Sequence, residues 1–405
     1  MDKIAEKVLQ LAEQYRDYTA RNLSDLVKIK SLTAREGEVA AELKKQMEAA
    51  RFDDVRVDGL GSVLGRVGKG KRLLAIDAHI DTVDQGNLEN WNEPPFSGRI
   101  AGGFVHGRGA VDQKGGAAAM VTAGRILAEL GLKNDLTVLF TGTVMEEDCD
   151  GLCWKYIIEE EKIRPELVII TEPTNLVIHN GVRGGVVVNF SLTGPEGIIF
   201  GDEEPGHAMR MLSHFLKWVD VFRRRRRANV PGWMGGPLDP VPVWVTKVSA
   251  GGWGKNVPLT VPAEARLELY YQLIPGEDEA GVKGELFAWL DEMVADKPND
   301  FAGRPSLTFP YRFMPASEIP ADSPVIQVLN RCVRQVTGSL ADIRPLPAPS
   351  DLFTVQRDFG LQGIHYGPRG GGAHAAEEYV ELEDLLTVTK AITLLALDWC
   401  EVAEN

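Results

Sequence analysis

The stretch Leu136–Asp148, LTVLFTGTVMEED, decides the fold. Its first nine residues are apolar and β-rich, which reads as a strand buried on both faces. Its end carries the adjacent carboxylates Glu146 and Glu147, just past the strand. Working outward, LLAID (73–77) and LVIIT (167–171) are further short apolar runs, and GGAAAMVTAGRILAEL (115–130) and LCWKYIIEEE (152–161) have helical spacing. Buried strands alternating with helices predict an α/β, three-layer αβα domain with a mostly parallel sheet. Small residues from Gly115 to Ala119 would let their helix lie close against it.

The pattern changes after Glu172. From Arg183 the order is GVVVNFSLTG, a helix at 206–222, VPVWVTKVSAGG, AEARLELYYQLIPGE, a helix near 279–294, and SLTFPYR. Strand, helix, two strands, helix, strand is the order of a ferredoxin-like α+β unit. The βα pattern resumes with SPVIQVLNRCVRQV, GIHYGP and LEDLLTVTKAITLLALDWC. Residues 1–181 and 314–405 are therefore expected to form one domain, with residues 182–313 inserted as a lid. At 405 residues, two domains are also the expectation from length.

With 58 acidic against 44 basic residues, the net charge of −14 disfavours a nucleic-acid partner, which wants a basic surface. The run Arg223–Arg227 is the local exception, and it reads as the solvated end of a lid helix. The N-terminal stretch reads as an amphipathic charged helix rather than a signal, and no run of about 18 apolar residues predicts a membrane span. Cysteines are few: Cys149, Cys153, Cys332 and Cys400. The first two read as small residues packing at a helix start. A cytoplasmic location fits these features.

The chemistry lies in a set of residues at the ends of predicted strands, where open α/β sheets place their ligands. His79 and Asp81 follow LLAID, Glu146 and Glu147 follow LTVLFTGTV, Glu172 ends LVIIT, and His374 follows GIHYGP. Asp112 sits in the glycine-flanked turn GRGAVDQKGG. Imidazole and carboxylate are the donors that suit zinc and similar ions. Residues i and i+2 of extended backbone project to one side, so Asp81 is placed to orient the His79 imidazole rather than to bind metal. Asp112 can bridge two ions with its two oxygens. Glu146 and Glu147 diverge, so one can bind metal while the other serves as base. His106, His179, His207, His214 and His365 have no such partners and read as structural or surface residues.

The segments HIDTV, GRGAVDQKGG, EEDCDG, TEPT, the NVP of GKNVPLTVPAEA, PSDLF and AHAAEEYV resemble the dinuclear-zinc amidohydrolases and metallopeptidases that include acetylornithine deacetylase, succinyl-diaminopimelate desuccinylase, aminoacylase-1 and glutamate carboxypeptidase. The stretch GTVMEEDCDGLCWKYIIEEEKIRPE looks most like a branch of hydrolases linked to selenium metabolism. The resemblance implies one zinc on His79, Asp112 and Glu172 and a second on Asp112, Glu147 and His374, with cobalt or manganese as alternatives. It implies that Glu146 is general base and then general acid, and that a cis peptide follows Asp112. It also implies a homodimer formed through the lid and an N-acyl amino acid or related amide as substrate. A dipeptidase or carboxypeptidase is the alternative, and a catalytically weak metal-binding relative a second. Asn256, Gln272, His207, Ser350 and Gly371 are the substrate-side candidates. Two positions depart from the family pattern. Ile198 stands where the lid normally carries an oxyanion-binding histidine, and Gln272 stands near the usual place of an arginine for the substrate carboxylate.

Overall fold

The computed structural model describes residues 3–132, 135–148, 150–198, 207–228, 243–251, 260–301 and 303–402. It divides into two compact units. The first comprises Met1–Val182, Glu318–Leu346 and Ser350–Asn405, and the second Arg183–Ser317 with Pro347–Pro349. The second unit thus runs to 317 rather than 313 and takes in a short segment from later in the chain.

The first unit is built on a six-stranded sheet ordered Asp54–Val57, Val63–Gly68, Leu136–Thr143, Arg72–His79, Leu167–Ile170 and Gln362–His365. The last four are mutually parallel, and Val63–Gly68 joins antiparallel to Leu136–Thr143. All eight residues of Leu136–Thr143 are buried, as expected of a strand covered on both faces. Alternation sorts neighbouring side chains to opposite sides. Leu74, Ile76, Val138 and Phe140 pack with helices Gly115–Leu130, Pro324–Thr337 and Leu382–Val402, whereas Ala75, Leu139 and Val168 pack with Cys153, Trp154 and Ile157 of helix Leu152–Glu159. The helix at 115–130 does lie close: a Cβ on Gly116 would fall 2.0 Å from the Thr171 hydroxyl. The N-terminal segment forms two helices, Lys3–Gln14 and Arg16–Val27, broken at Tyr15.

A separate four-stranded antiparallel sheet links distant parts of this unit, in the order Gly370–Gly371, Tyr379–Glu381, Phe104–His106, Arg99–Ala101.

The second unit follows the expected order: Gly184–Thr193, helix Ala208–Ala228, Val243–Ala250, Glu264–Leu273, helix Glu279–Asp296, Ser306–Thr308. Numbering the four strands of its sheet by appearance, the antiparallel order is 4-1-3-2, the ferredoxin-like arrangement. Phe190, Leu267 and Leu269 bury one sheet face against Phe215, Phe222, Leu286 and Trp289 of the two helices. The arginine run is only partly solvated. Arg224, Arg225 and Arg227 are exposed, but Arg226 is 5% exposed and ion-paired to Glu277, because its place on the helix faces the sheet. Arg223 donates to the Val243 carbonyl and covers the Trp244 ring.

Candidate metal centre

The parallel strands bring most of the expected residues to one edge. His79 ends strand Arg72–His79 and is 1% exposed. Its Nδ1 lies 3.0 Å from the Asp81 main-chain carbonyl and 3.4 Å from the Asp81 carboxylate. The carbonyl is therefore the nearer partner, and a proton held there leaves Nε2 with its lone pair toward Asp112 Oδ1, 3.1 Å away.

The Asp81 carboxylate has a wider task than the sequence suggests. It accepts from the main-chain N–H groups of Glu146 (3.2 Å) and Glu147 (3.1 Å) and from the Thr33 hydroxyl (3.0 Å). It thereby holds the loop that carries the base candidate and a ligand candidate. Met145, just before that pair, has φ +63°, and its N–H donates to buried Glu36 at 3.2 Å.

Asp112 lies in the turn Ala110–Lys114, entered through Gly109 at φ +84°. The Asp112–Gln113 peptide is cis, as the resemblance implies. The two Asp112 oxygens face different histidines: Oδ1 faces His79, and Oδ2 lies 3.3 Å from His374 Nε2. His374 Nε2 is also 2.9 Å from Glu147 Oε2. His374 does not follow the central strand directly. It reaches the cluster on the loop between Gly370–Gly371 and Tyr379–Glu381, with φ +57° and a side chain 58% exposed. Glu172, 7% exposed, completes the group past Leu167–Ile170. Donor atoms of His79, Asp112 and Glu172 lie within 4.8 Å of one another, and so do those of Asp112, Glu147 and His374.

Glu146 stands beside both sets and belongs to neither. Its Oε2 is 3.9 Å from His79 Nε2, and its Oε1 accepts from the Asp351 N–H at 3.3 Å.

The electrostatics show what these donors lack. Burial, then repulsion from Glu172, pushes Glu146 well above the usual carboxylate range, and burial pushes Glu172 up to about 8. Hydrogen bonds to Asp112 and Glu147 raise His374 to about 10. Burial opposes a charge on His79, yet its bonds to Asp112 and Asp81 raise it well above its ordinary value. Glu146 and Glu172 thus lack counter-charge, whereas, against their burial, hydrogen bonds to the imidazoles hold Asp112 and Asp81 below the usual carboxylate range. Divalent cations fit this donor set in number, in ligand type and in sign.

The substrate-side candidates divide. Ser350 is 2% exposed, with its hydroxyl 3.0 Å from His365 Nε2, so it is turned inward. Gly371 pairs with Tyr379, whose ring would lie 2.8 Å from an added Cβ. Gln272 belongs to the second unit and is 2% exposed. Its oxygen accepts from Arg183 and its nitrogen donates to the Pro347 carbonyl. His207 precedes helix Ala208–Ala228 in the second unit, and its carbonyl accepts from Arg210 and Met211 N–H. Asn256, Cys149 and the side chain of Ile198 lie outside the described residues.

A family model for peptidase family M20/M25/M40 matches residues 75–398. The chain belongs to this family. It is accordingly a metal-dependent amidohydrolase, and its site supports two divalent ions. The Escherichia coli strain K12 protein YgeY, described as uncharacterized, is 47% identical over 400 residues, covering 97% of each chain. A succinyl-diaminopimelate desuccinylase of Marinobacter nauticus is 25% identical over 380 residues, covering 90% of this chain and 94% of its own. Among solved structures, human carnosine dipeptidase 1 matches with a TM-score of 0.77 at 14% identity, covering 98% of this chain and 99% of its own, which shows the shared fold. Among the described residues, no helix is long and apolar enough to cross a membrane.

Proposed function

We propose that this M20 protein hydrolyses the amide bond of an N-acyl amino acid or related small molecule, with Glu146 as general base. The observation that carries the reading is the pair of donor sets sharing Asp112, with the Glu146 carboxylate beside them and outside both. His79, Asp112 and Glu172 would hold one ion, and Asp112, Glu147 and His374 the other, with zinc as the metal and cobalt or manganese able to replace it. When bound, the ions polarise the scissile carbonyl and make water a stronger acid.

The chain's own residues do the rest. Glu146 takes the proton from the attacking water and returns it to the nitrogen of the leaving amine. The Asp351 N–H holds Oε1 of Glu146, leaving Oε2 toward the metal donors. Asp81 fixes the main chain of Glu146 and Glu147, so base and ligand keep their divergence.

Similarity to a desuccinylase over most of the chain supports the N-acyl substrate class. A dipeptidase is the second reading, favoured by the fold shared with carnosine dipeptidase. The proposal includes a lid role for the second unit and a cytoplasmic homodimer joined through it. Strand Val243–Ala250 is consistent with such a joint, being at the edge of its sheet with Trp244 and Val248 exposed. Purified protein loaded with zinc, cobalt or manganese should cleave members of an N-acyl amino acid panel faster than dipeptides. Cleavage of dipeptides alone would favour the second reading, and no cleavage of either class by folded, metal-loaded protein would overturn both.

A further inference from the structure

Asp112 and His374 are far apart in the chain, and neither holds its own place. The small sheet pairs Tyr379 with His106 and Val380 with Val105, so the turn entering Asp112 and the loop carrying His374 leave the sheet side by side. Glu378 is fully buried where they meet. Its carboxylate accepts from the N–H groups of Gly109 (2.9 Å), Val111 (2.9 Å) and Asp112 (3.1 Å), and its main-chain carbonyl accepts from Gly107 at 2.8 Å. Arg108, 2% exposed, grips both loops. One nitrogen donates to the Glu378 carboxylate at 2.6 Å, and the other donates at 2.9 Å to the carbonyl of Ala375, the residue after His374. The Trp91 ring lies 5.5 Å from the guanidinium carbon.

We infer that Arg108 is a positioning residue for the ion held by Asp112, Glu147 and His374. It ties Ala375 to the carboxylate that fixes Asp112 and so sets the spacing between these two ligands. This inference rests on the two-ion reading of the site. The contrast in burial explains why only one ion depends on the clamp. His79 and Glu172 are buried at strand ends, whereas the His374 side chain is 58% exposed on a loop. An exposed ligand on a loop must be held through its backbone if it is to meet the metal preorganised. Arginine suits this task because its planar fork spans two acceptors, which a lysine ammonium on a flexible stem does not.

The test compares wild-type holoprotein with R108K and E378Q by zinc titration in a calorimeter and by metal count per chain after dialysis against graded chelator. Wild type should hold two ions. R108K keeps a positive charge toward Glu378 but loses the reach to Ala375. It should keep one ion within about threefold of wild-type affinity and bind the other about 10- to 100-fold more weakly. E378Q should weaken both ions, because Glu378 also holds the N–H of the shared ligand Asp112. In an H374A background, where the second ion is already lost, R108K should change the remaining affinity less than twofold. If R108K does not fold, R108Q replaces it; because it also leaves Glu378 without its cation it should weaken both ions, with the larger loss on the ion that His374 helps to hold. Equal loss of both ions in the Arg108 variant, or loss of neither, overturns the inference. Wild type holding a single ion would overturn the two-ion reading instead, whatever the Arg108 variants do.

Discussion

In the second unit, Arg226 is buried among groups that answer its charge. Its nitrogens donate to both Glu277 oxygens, at 2.7 and 2.8 Å, and to the Gln272 carbonyl at 2.7 Å, and the guanidinium lies 4.0 Å from the Tyr271 ring centroid. In the first unit, Asp112, Glu146, Glu147 and Glu172 gather around the imidazoles of His79 and His374, and Glu146 and Glu172 resist ionising there. Both regions bury charge, but the first of these arrangements is closed and the second is not. A buried ion pair with its partners in place is architecture. Buried like charges of one sign point to a counter-charge the chain does not itself supply, and two divalent cations meet that need.

The largest effect should come from the shared ligand. Asp112→Ala should remove both ions and lower kcat by on the order of 1000-fold or more, since metal polarisation is worth several kcal/mol. Metal analysis beside steady-state rates checks this, and a variant that still carried two ions would break the comparison at its centre. Arg226→Met strikes the closed cluster. It should destabilise the second unit by about 3 kcal/mol by leaving Glu277 without its partner. Denaturant unfolding measures that cost, and the metal content of folded protein should be unchanged. Asp81→Asn should lower kcat about 10- to 100-fold, because an amide nitrogen cannot accept from both N–H groups that hold the loop of Glu146 and Glu147. Gln272→Ala should be the mildest, costing about 1 kcal/mol of stability for its two internal hydrogen bonds. Its KM should stay within twofold of wild type, and a large rise would return Gln272 to the substrate.

His79, Glu147 and Glu172 were legible in the sequence because they ride just past central strands, where short apolar runs announce themselves, and Asp112 because glycines flank its turn. The ferredoxin-like unit was legible for the same reason, through alternation and helical spacing. His374 reaches the cluster by a route that was not visible, since the small sheet that delivers it has strands of only two or three residues. Glu36, Arg108, Asp351 and Glu378 were missed. Each acts through main-chain N–H or carbonyl groups, and no spacing rule marks a charged side chain that will be buried against backbone. Glu378 even stands inside the AHAAEEYV segment, where the adjacent Glu377 is exposed and nothing in the order of letters separates the two. Arg226 was misread for a related reason: a run of five arginines looks uniformly solvated until the helix phase against the sheet is known.

The central claim is that Glu146 serves the chemistry without holding the metals. Glu146→Gln, measured for ions per chain and for turnover of an N-acyl amino acid that wild type cleaves, tests it most directly. The account predicts two ions retained with kcat reduced by about 100- to 10,000-fold. Turnover near the wild-type rate, or loss of an ion together with activity, would contradict it.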